Sequence, residues 1–424
     1  MIHRRAAAVG AAAAVVAGAL ATGVAARDTK SRAGSASLRL KIGALIAETG
    51  TSGVYGPSWD KSVRMAVGVV NGAAKRAGVD LQVSLESADN QSDPVATVSA
   101  AQKLVADGAT CLVGTSSSAT TTSAATSVAI PQGIPLIAPS STSGAVTALH
   151  AQGGLTFRTV AADPLEAAGL ARVVSQRLKG AKGKLVSVAG RNDVYGQGLT
   201  GAFSKAWKAL GGKVQGPLLY DPTASNYDSE AQQIVSGSPL AYVIIDLPGT
   251  YGLVASALLR TGKWSTSNSF IAGGYPSPIP SGIPPQTLNG VTGVSPGFPR
   301  SGPLVEAFNN LWTKSGGTSQ QQSYDQNMFD ATILCALGAL DAHSTDGRAI
   351  AAALPKVNSG KGPQYTFLTL AQAMAKIKSK SAVINYQGVS GPIDWDANGD
   401  IRQSFINVYQ YVNNVLVVRG VIRP

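Results

Sequence analysis

The residues that most resemble a cofactor-binding motif are the glycines of Gly196-Gln-Gly198-Leu-Thr-Gly201. This spacing matches the fingerprint that lets a backbone approach the pyrophosphate of a dinucleotide, and Asp221 follows the next predicted strand, where a ribose-binding acid is expected. The fingerprint needs its first glycine at the turn between a strand and a helix, but residues 191–195 separate the predicted strand from Gly196. A nucleotide-dependent enzyme that uses residues 196–201 is therefore the less favoured alternative. Our main prediction is a protein with no catalytic residues and no cofactor.

The histidine and cysteine content limits other chemistries. A serine hydrolase needs a base within hydrogen-bond reach of its nucleophile, and beyond His3 the only histidines are His150 and His343. We therefore interpret the Ser and Thr runs as hydrogen-bond donors rather than nucleophiles. Cys111 and Cys335 each lie in an apolar run, so we expect both to pack as small buried hydrophobic residues. With so few His and Cys side chains, we expect no metal site.

Two loops rich in Ser and Thr follow predicted strands and are better candidates for a binding site. The first covers residues 114–123 and the second covers residues 139–144. In a parallel α/β sheet, the carboxyl ends of the strands and the N-termini of the helices face a shared crevice, where unpaired N–H groups attract a polar or anionic guest. The pattern predicts a binding surface of hydroxyl and backbone groups at these two turns.

Short apolar runs alternate with longer helical patterns from Leu40 onward, which is typical of parallel sheets covered by helices. A second alternating block opens near Phe157, so we predict two α/β lobes. The Gly- and Pro-rich stretch Gly273 to Gly290 predicts a long surface loop. The predicted strands are 41–46, 81–87, 111–113, 135–138, 184–189, 214–220 and 241–245. The predicted helices are 59–77, 94–107, 119–130, 164–178, 199–210, 227–235, 304–314 and 326–341.

Seven short motifs occur in an order that matches one known family. They are Lys41-Ile-Gly-Ala-Leu, Thr49-Gly-Thr-Ser-Gly-Val-Tyr-Gly56, Asp89-Asn-Gln-Ser-Asp-Pro94, Val113-Gly-Thr-Ser-Ser-Ser118, Ile137-Ala-Pro-Ser-Ser-Thr142, Asp193-Val-Tyr-Gly-Gln-Gly198 and Ser390-Gly-Pro-Ile-Asp-Trp-Asp-Ala-Asn-Gly-Asp400. From about Leu40 to its end, the chain resembles the periplasmic branched-chain amino-acid-binding proteins, which supply ABC importers.

The resemblance implies an α/β fold of the type I periplasmic-binding class, with two doubly wound Rossmann-like lobes joined by a three-strand hinge. Lobe 1 would comprise residues 39–158 plus 296–392, and lobe 2 residues 159–295 plus 393–424. The three crossings between the lobes are expected near residues 157–160, 294–296 and 392–394.

The resemblance also implies where the ligand binds. In the family, Ser and Thr hydroxyls and backbone N–H groups in the two loops hold the carboxylate of the ligand, and aromatic side chains form the walls of the cleft. Ser and Thr after a strand also cap helices, and an aromatic side chain can simply pack behind a neighbouring helix, so each position has a structural alternative. The matching positions in this chain are Ser117, Ser118, Ser140 and Thr142 for the hydroxyls, and Tyr55, Tyr195 and Tyr324 for the walls.

The chain departs from the family pattern where the family has an acidic residue for the amino group of the ligand. Gly273-Gly-Tyr-Pro276 occupies that turn, so no carboxylate is available there. A buried ammonium without a counter-charge is costly. Either Asp246 substitutes for the missing acid or the ligand is not an α-amino acid, and Asp246 could equally be a helix cap. The segment 356–387 is a second departure, which we interpret as a decoration of the lobe surface with its own helix at 370–377.

The first residues of the chain predict export. Arg4 and Arg5 precede an uncharged run from Ala6 to Ala26 that is rich in Ala, Val and Gly, which is the layout of a secretory signal peptide. An uncleaved membrane anchor is the alternative, because the run is long enough to span a bilayer. We predict a signal peptide over residues 1–26, a flexible linker over residues 27–38, and a mature protein in the periplasm or outside the cell.

Composition and charge exclude other classes of protein. The 424-residue chain is 44% hydrophobic and 14% charged, which suits two packed cores and not a disordered polyelectrolyte. Its net charge is +12, but no cluster of Lys and Arg interleaved with aromatics follows the basic N-terminal segment, so we expect no nucleic-acid partner. We predict a monomeric, non-enzymatic solute-binding protein that delivers an amino acid, amide or small carboxylate to the membrane permease of an ABC importer. A ligand-sensing receptor of the same fold is the alternative.

Overall fold

The computed structural model describes residues 37–273, 287–358, 360–379, 383–413 and 415–423. The predicted signal peptide, nearly all of the predicted linker and most of the predicted Gly- and Pro-rich loop lie outside the described residues. Within these ranges, no helix combines the length and the apolar composition that crossing a membrane requires.

Strands and helices alternate through most of the chain. The strands are β1 (Leu38–Ile46), β2 (Leu81–Asp89), β3 (Cys111–Gly114), β4 (Leu136–Ala138), β5 (Thr156–Arg158), β6 (Leu185–Arg191), β7 (Lys213–Tyr220), β8 (Ala241–Ile245), β9 (Ser269–Ala272), β10 (Thr292–Gly297), β11 (Gln364–Tyr365), β12 (Asn385–Gly388), β13 (Gly391–Pro392), β14 (Phe405–Val412) and β15 (Val415–Ile422). The helices are α1 (Gly56–Ala77), α2 (Pro94–Ala106), α3 (Ser118–Ala124), α4 (Ile130–Gln132), α5 (Gly144–His150), α6 (Asp163–Arg177), α7 (Val194–Ala209), α8 (Asp228–Ile234), α9 (Pro248–Arg260), α10 (Pro303–Lys314), α11 (Asp325–Ala342), α12 (Gly347–Val357) and α13 (Leu370–Lys378).

The first sheet is parallel throughout and has the order β2-β1-β3-β4-β5. Successive side chains of a strand point to opposite faces, and β1 follows this rule. Ala44 and Ile46 belong to the apolar cluster on one face, and Leu45 belongs to the cluster on the other. Helices therefore cover both faces, which explains why β3, β4 and β5 are buried along their whole length. We call this sheet with its helices lobe 1.

The second sheet has the order β15-β14-β10-β9-β8-β6-β7. Strands β6 to β10 pair in parallel, and β14 and β15 add an antiparallel hairpin at one edge. Adjacent residues of β8 again face different clusters, since Val243 lies in one and Ile244 in the other. We call this sheet with its helices lobe 2. The predicted α/β class with two doubly wound lobes is thereby confirmed.

The chain passes between the two sheets three times. It leaves lobe 1 after β5, returns after β10, and reaches β14 after the short strand β13. The first two passages lie at the predicted segments 157–160 and 294–296. The third lies later than the predicted 392–394, because Trp395, Gly399 and Asp400 still bond to lobe 1 before β14 begins. The predicted residue boundaries of the lobes themselves stay a prediction.

The segment 356–387 was predicted to be a surface decoration, and the structure corrects this interpretation. Its helix α13 buries Leu370, Ala373, Met374 and Ile377 in the main cluster of lobe 1, against α1 and α11. Strand β12, at the end of the same segment, pairs with β11 and β13 in a small third sheet. The apolar face of α13 makes it part of the core rather than an addition to it.

The prediction that Cys111 and Cys335 are merely small buried side chains was wrong, because they form a disulfide. Both are fully buried, and the bond joins β3 to α11 with a Cα–Cα distance of 6.0 Å. The two residues are 224 positions apart, so only the packing of α11 against β3 brings them within bonding distance.

Candidate functional site

A narrow cavity, which we call the central cleft, lies where the carboxyl ends of strands from both sheets face each other. It leaves about 20 Å³ of free space, which is room for about one water molecule. Six of the eight predicted ligand-binding residues line it, together with five residues that were not predicted to bind the ligand. The predicted residues are Tyr55, Ser117, Ser118, Ser140, Tyr195 and Tyr324, and the others are Ser52, Trp59, Ser116, Leu247 and Gly273.

The first Ser-rich loop is held by helix capping. The Ser117 hydroxyl accepts the Thr120 N–H at 3.3 Å, and the Thr120 hydroxyl accepts the Ser117 N–H at 2.9 Å, so the two form a capping box at the start of α3. The Ser118 hydroxyl accepts the Ser143 N–H at 3.2 Å. Because Ser118 uses a lone pair in this bond, its own O–H can still donate to a ligand.

In the second loop, Ser140 lines the cleft, whereas Thr142 contacts the start of α6. The Ser140 hydroxyl donates to the carbonyl oxygen of Thr115 at 2.8 Å, which leaves its oxygen able to accept. Thr142 is buried and does not line the cleft. Its carbonyl oxygen accepts the Asp163 N–H at 2.7 Å. Burial raises the pKa of the Asp163 carboxyl to about 6, and the nearby Thr142 hydroxyl opposes that shift. Thr142 thus ties this loop to the first turn of α6 in lobe 2.

Aromatic side chains form the walls of the cleft. The ring of Tyr55 stacks on Trp59 with centroids 5.3 Å apart, and Trp59 meets the edge of Tyr324 at 6.2 Å. From lobe 2, Tyr195 donates its hydroxyl hydrogen to the carbonyl oxygen of Ala272 at 3.1 Å. Burial raises the pKa of Tyr55 and of Tyr195 well above the usual value, so both phenols stay protonated. Because Tyr195 donates its one hydroxyl hydrogen to Ala272, its oxygen can still accept a hydrogen bond.

Asp246 lies beside the cleft and not in its wall. The carboxylate is fully buried, accepts hydrogen bonds from the Tyr220 hydroxyl and the Leu247 N–H at 2.8 and 2.7 Å, and lies 3.4 Å from the Arg191 guanidinium. Burial raises its pKa, and Arg191 opposes that shift. Through Leu247, which does line the cleft, Asp246 holds the turn after β8. The proposal that it receives an amino group stays a prediction.

A buried carboxyl that the sequence did not reveal lies directly behind the cleft wall. Glu166 in the first turn of α6 is fully buried, and its Oε1 accepts the N–H of Gly273 at 3.0 Å. Its Oε2 has no hydrogen-bond partner. Burial, with the nearby Asp163 carboxyl, raises the pKa of Glu166 to about 8. The sequence shows Glu166 at the start of the predicted helix 164–178 and Asp163 just before it, but not that the turn at Gly273 lies against Glu166.

The glycines of residues 196–201 have a packing role. Helix α7 begins at Val194, earlier than predicted, because the Asp193 carboxylate caps it by accepting the Gly196 N–H at 2.9 Å. A β carbon on Gly196 would lie 2.0 Å from the carbonyl oxygen of Arg191, and one on Gly198 would lie 2.5 Å from Asp163 Oδ2. These glycines therefore allow close contacts with protein atoms at the positions where the fingerprint would need a pyrophosphate.

Two other chemistries find no support in the geometry. Gly293-Val-Ser295-Pro-Gly297 has the spacing of a nucleophile elbow, but it lies within strand β10, where Ser295 pairs with Asn407, and not at a strand-to-helix turn. Among the described residues, no group of three or more His, Cys, Asp or Glu side chains is arranged to hold a metal ion.

Comparison with known proteins bears on the fold and the family. A family model described as "Periplasmic binding protein" matches residues 39–398. The Leu/Ile/Val-binding protein homolog 1 of Brucella melitensis is 31% identical over 196 residues, which cover 46% of this chain and 50% of that protein. The chain thus spans about half the length of the curated relatives it matches.

Two solved structures share the architecture. The branched-chain amino acid transporter substrate-binding protein LivJ of Streptococcus pneumoniae, in complex with isoleucine, superposes with a TM-score of 0.69 at 18% identity, over 91% of this chain and 100% of that one. A solute-binding protein of an ABC transporter from R. palustris, in complex with 4-hydroxybenzoate, gives a TM-score of 0.67 at 15% identity, over 91% and 96%. At these identities the likeness concerns the fold.

Proposed function

Because this chain belongs to the family of periplasmic binding proteins, we propose that it captures a small polar solute in the central cleft, outside the cytoplasm, and delivers it to the membrane permease of an ABC importer. One observation carries the proposal. Hydroxyl-bearing turns of lobe 1 and aromatic and backbone groups of lobe 2 converge on a single cavity between two hinged sheets. The family is one of solute-binding proteins, which supports a binding role rather than an enzymatic one.

The mechanism we propose is closure of the hinge around the solute. The cleft holds about 20 Å³, which is far smaller than an amino acid, so a solute can reach the hydroxyls only when the lobes move apart. The solute would bind first to the Ser117, Ser118 and Ser140 turns of lobe 1. Closure then adds contacts with Tyr195 and Gly273 of lobe 2, and the closed form is favoured because only it satisfies both sets of contacts.

The ligand class follows from the groups in the wall. Hydroxyls, N–H groups and protonated phenols suit a carboxylate or an amide, and stacked aromatic rings suit an apolar or aromatic side group. Relatives of the same fold are described with isoleucine and with 4-hydroxybenzoate. We propose an amino acid, an amide or a small carboxylate. Glu166 and Asp246 are candidate partners for an amino group, because they bond to the lining residues Gly273 and Leu247.

Ligand sensing through another partner is the second candidate, because the same closure could signal instead of deliver. The nucleotide-dependent enzyme is the weaker alternative, since the side chain of Asp163 lies against Gly198 where a phosphate would bind. A thermal shift with NAD would support the enzyme, and a flat response across nucleotides would remove it.

A matched pair of serines tests the binding site. Ser140 lines the cleft, whereas its neighbour Ser141 is fully buried and bonds to the Thr121 hydroxyl at 2.7 Å. We would screen the exported chain by thermal shift against isoleucine, acetamide and 4-hydroxybenzoate, and then titrate the best ligand by calorimetry. Ser140→Ala should weaken binding by about ten-fold, while Ser141→Ala should change stability more than affinity.

The double variant Ser118→Ala/Thr142→Ala adds a stricter test. It should abolish ligand-induced stabilisation while the protein still folds, because Ser118 supplies a donor in the wall and bonds to the second loop, where Thr142 lies against the start of α6. Binding at wild-type affinity in this variant would refute the assignment of the site.

A further inference from the structure

A second and larger cavity, which we call the hinge cavity, lies where the hinge strands meet the loop before α11. It has a volume of about 290 Å³, close to the lower end of small-molecule sites. Its walls come from β10 and the chain that follows it, from the β14–β15 hairpin, and from the residues on either side of Tyr324. The residues used below are Ser295, Arg300, Ser323, Gln326, Asn407 and Tyr409.

The hinge cavity is distinct from the central cleft but shares a wall with it. Tyr324 lines the central cleft, whereas Ser323 and Gln326 on either side of it line the hinge cavity. Tyr409 lines the hinge cavity and donates its hydroxyl hydrogen at 3.0 Å to the carbonyl oxygen of Gly273, which lines the cleft. A molecule in the hinge cavity would therefore contact Tyr409 and the residues on either side of Tyr324, which connect this cavity to the central cleft.

Two buried amide groups in this cavity lack partners for their oxygens. Gln326 is 1% exposed and Asn407 is 7% exposed, and neither Gln326 Oε1 nor Asn407 Oδ1 has a hydrogen-bond partner. A buried acceptor without a partner is costly, and such groups are rare in folded proteins. Both residues line one cavity, and a rotation of each amide side chain would turn its oxygen toward an occupant that carries N–H or O–H donors.

The charge of the cavity comes from Arg300. Its guanidinium lies over the ring of Phe298, 5.1 Å from the centroid, and within the described part of the chain it forms no ion pair. None of the described residues that line the cavity carries a carboxylate. An arginine without a counter-ion is a ready partner for a carboxylate, which it can bind through two parallel hydrogen bonds.

We propose that the hinge cavity is a second binding site for a small organic anion that carries at least one N–H or O–H donor. Arg300 binds the anionic group, and Gln326 and Asn407 accept the donors. The proposal goes beyond solute capture in the central cleft and does not depend on it, because none of these three residues lines the cleft.

Three probes separate the contribution of the anionic group from the contribution of the N–H donor. N-acetylglycine carries a carboxylate and an amide N–H, acetate carries only the charge, and acetamide carries only the N–H. We would titrate each into the full exported chain and follow binding by ligand-observed NMR. N-acetylglycine should bind about ten-fold more tightly than acetate or acetamide. Equal affinities for the three probes, or no binding of N-acetylglycine up to about 50 mM, would overturn the proposal.

Variants then locate the binding. Arg300→Gln and Gln326→Met should each weaken N-acetylglycine binding by about ten-fold. Arg419→Gln is the matched control for charge, because Arg419 lies on β15 outside the cavity wall and its guanidinium bonds to Gln410. It should leave binding unchanged. Ser140→Ala reports on the central cleft: it should weaken only binding of the probe in the cleft and leave the binding that depends on Arg300 and Gln326. Loss of binding in Ser140→Ala with none in the Arg300 and Gln326 variants would place the probe in the cleft and refute a second site.

The Tm of Gln326→Met without ligand tests whether the variant loses binding only because its structure is disturbed. Since Gln326 Oε1 has no partner, methionine of similar shape removes an unpaired polar atom and should raise Tm or leave it unchanged. A clear fall in Tm would show that the amide has a structural role and would contradict the proposal.

Discussion

Asp163 and Gly198 are packed so closely across the interface of α6 and α7 that a β carbon on Gly198 would lie 2.5 Å from Asp163 Oδ2 and 2.9 Å from the Ser143 hydroxyl oxygen. Ser143 belongs to lobe 1, whereas α6 and α7 belong to lobe 2. The middle glycine of the motif that resembles a dinucleotide fingerprint thus permits a contact between the lobes.

Gly198→Ala should destabilise the protein by about 1–3 kcal/mol, because the added methyl group must displace a buried carboxyl or separate the lobes. Gly201→Ala is the matched control, since it lies three residues further along α7 and a β carbon there meets nothing within 4 Å. It should stabilise the protein by about 0.5–1 kcal/mol, as alanine does in an exposed helix. Urea denaturation of both variants checks the prediction, and changes of the same sign would count against it.

Removing the disulfide should lower the free energy of unfolding by about 2–5 kcal/mol. The bond between Cys111 and Cys335 closes a loop of 224 residues and so restricts the unfolded chain. Denaturation of the double variant Cys111→Ala/Cys335→Ala should match that of the wild type in reducing agent. Oxidised wild type should also show no free thiol when unfolded without reductant. Thiols that react under those conditions would contradict the bond.

Glu166→Gln should flatten the dependence of stability on pH. Burial raises the folded pKa of Glu166 from 4.5 to about 8, so between these values the folded protein holds a proton that the unfolded chain releases. The contribution of Glu166 to stability is therefore full below pH 4.5 and is lost as the pH rises to 8, by up to about 1.4 kcal/mol per pH unit. Glutamine cannot titrate but can still accept the Gly273 N–H.

The measurement for Glu166 is the free energy of unfolding of both proteins at several pH values from 5 to 9. The wild type should lose stability relative to Glu166→Gln up to about pH 8, after which the difference should level off. Glu306→Gln on the exposed face of α10 provides the control. A constant difference between wild type and Glu166→Gln would mean that the Glu166 carboxyl is charged in the folded protein throughout this range.

Asp246→Asn should lower the free energy of unfolding by about 3–5 kcal/mol, because it leaves Arg191 with one carboxylate fewer in a buried network. If Asp246 acts only within lobe 2, the ratio of affinities for isoleucine and for its deaminated analogue should stay as in the wild type. Calorimetry with both compounds measures this ratio. A selective loss of affinity for the amine would instead assign Asp246 to the ligand.

Local patterns predicted most of the scaffold. Alternating runs located β1, β2, β3 and β8 and the long helices, because periodicity and turn residues depend on nearby positions. The antiparallel hairpin of β14 and β15 and the helices α5, α9 and α12 were not identified. The start of α7 was predicted at residue 199, five residues too late. The helix begins after the Asp193 cap, whereas the glycines at 196–201 had been interpreted as a possible phosphate-binding loop.

The sequence by itself determined the alternation of strands and helices and the hydroxyl-rich turns that follow β3 and β4, since each depends on neighbouring residues. The tyrosines of the cleft wall were predicted only through the resemblance to the family. The tertiary structure alone decided which of these groups meet. It placed Thr142 against Asp163 instead of in the cleft, brought the Glu166 carboxyl to the Gly273 turn 107 residues away, and joined Cys111 to Cys335. Such contacts follow from how distant segments pack, and no local pattern encodes that packing.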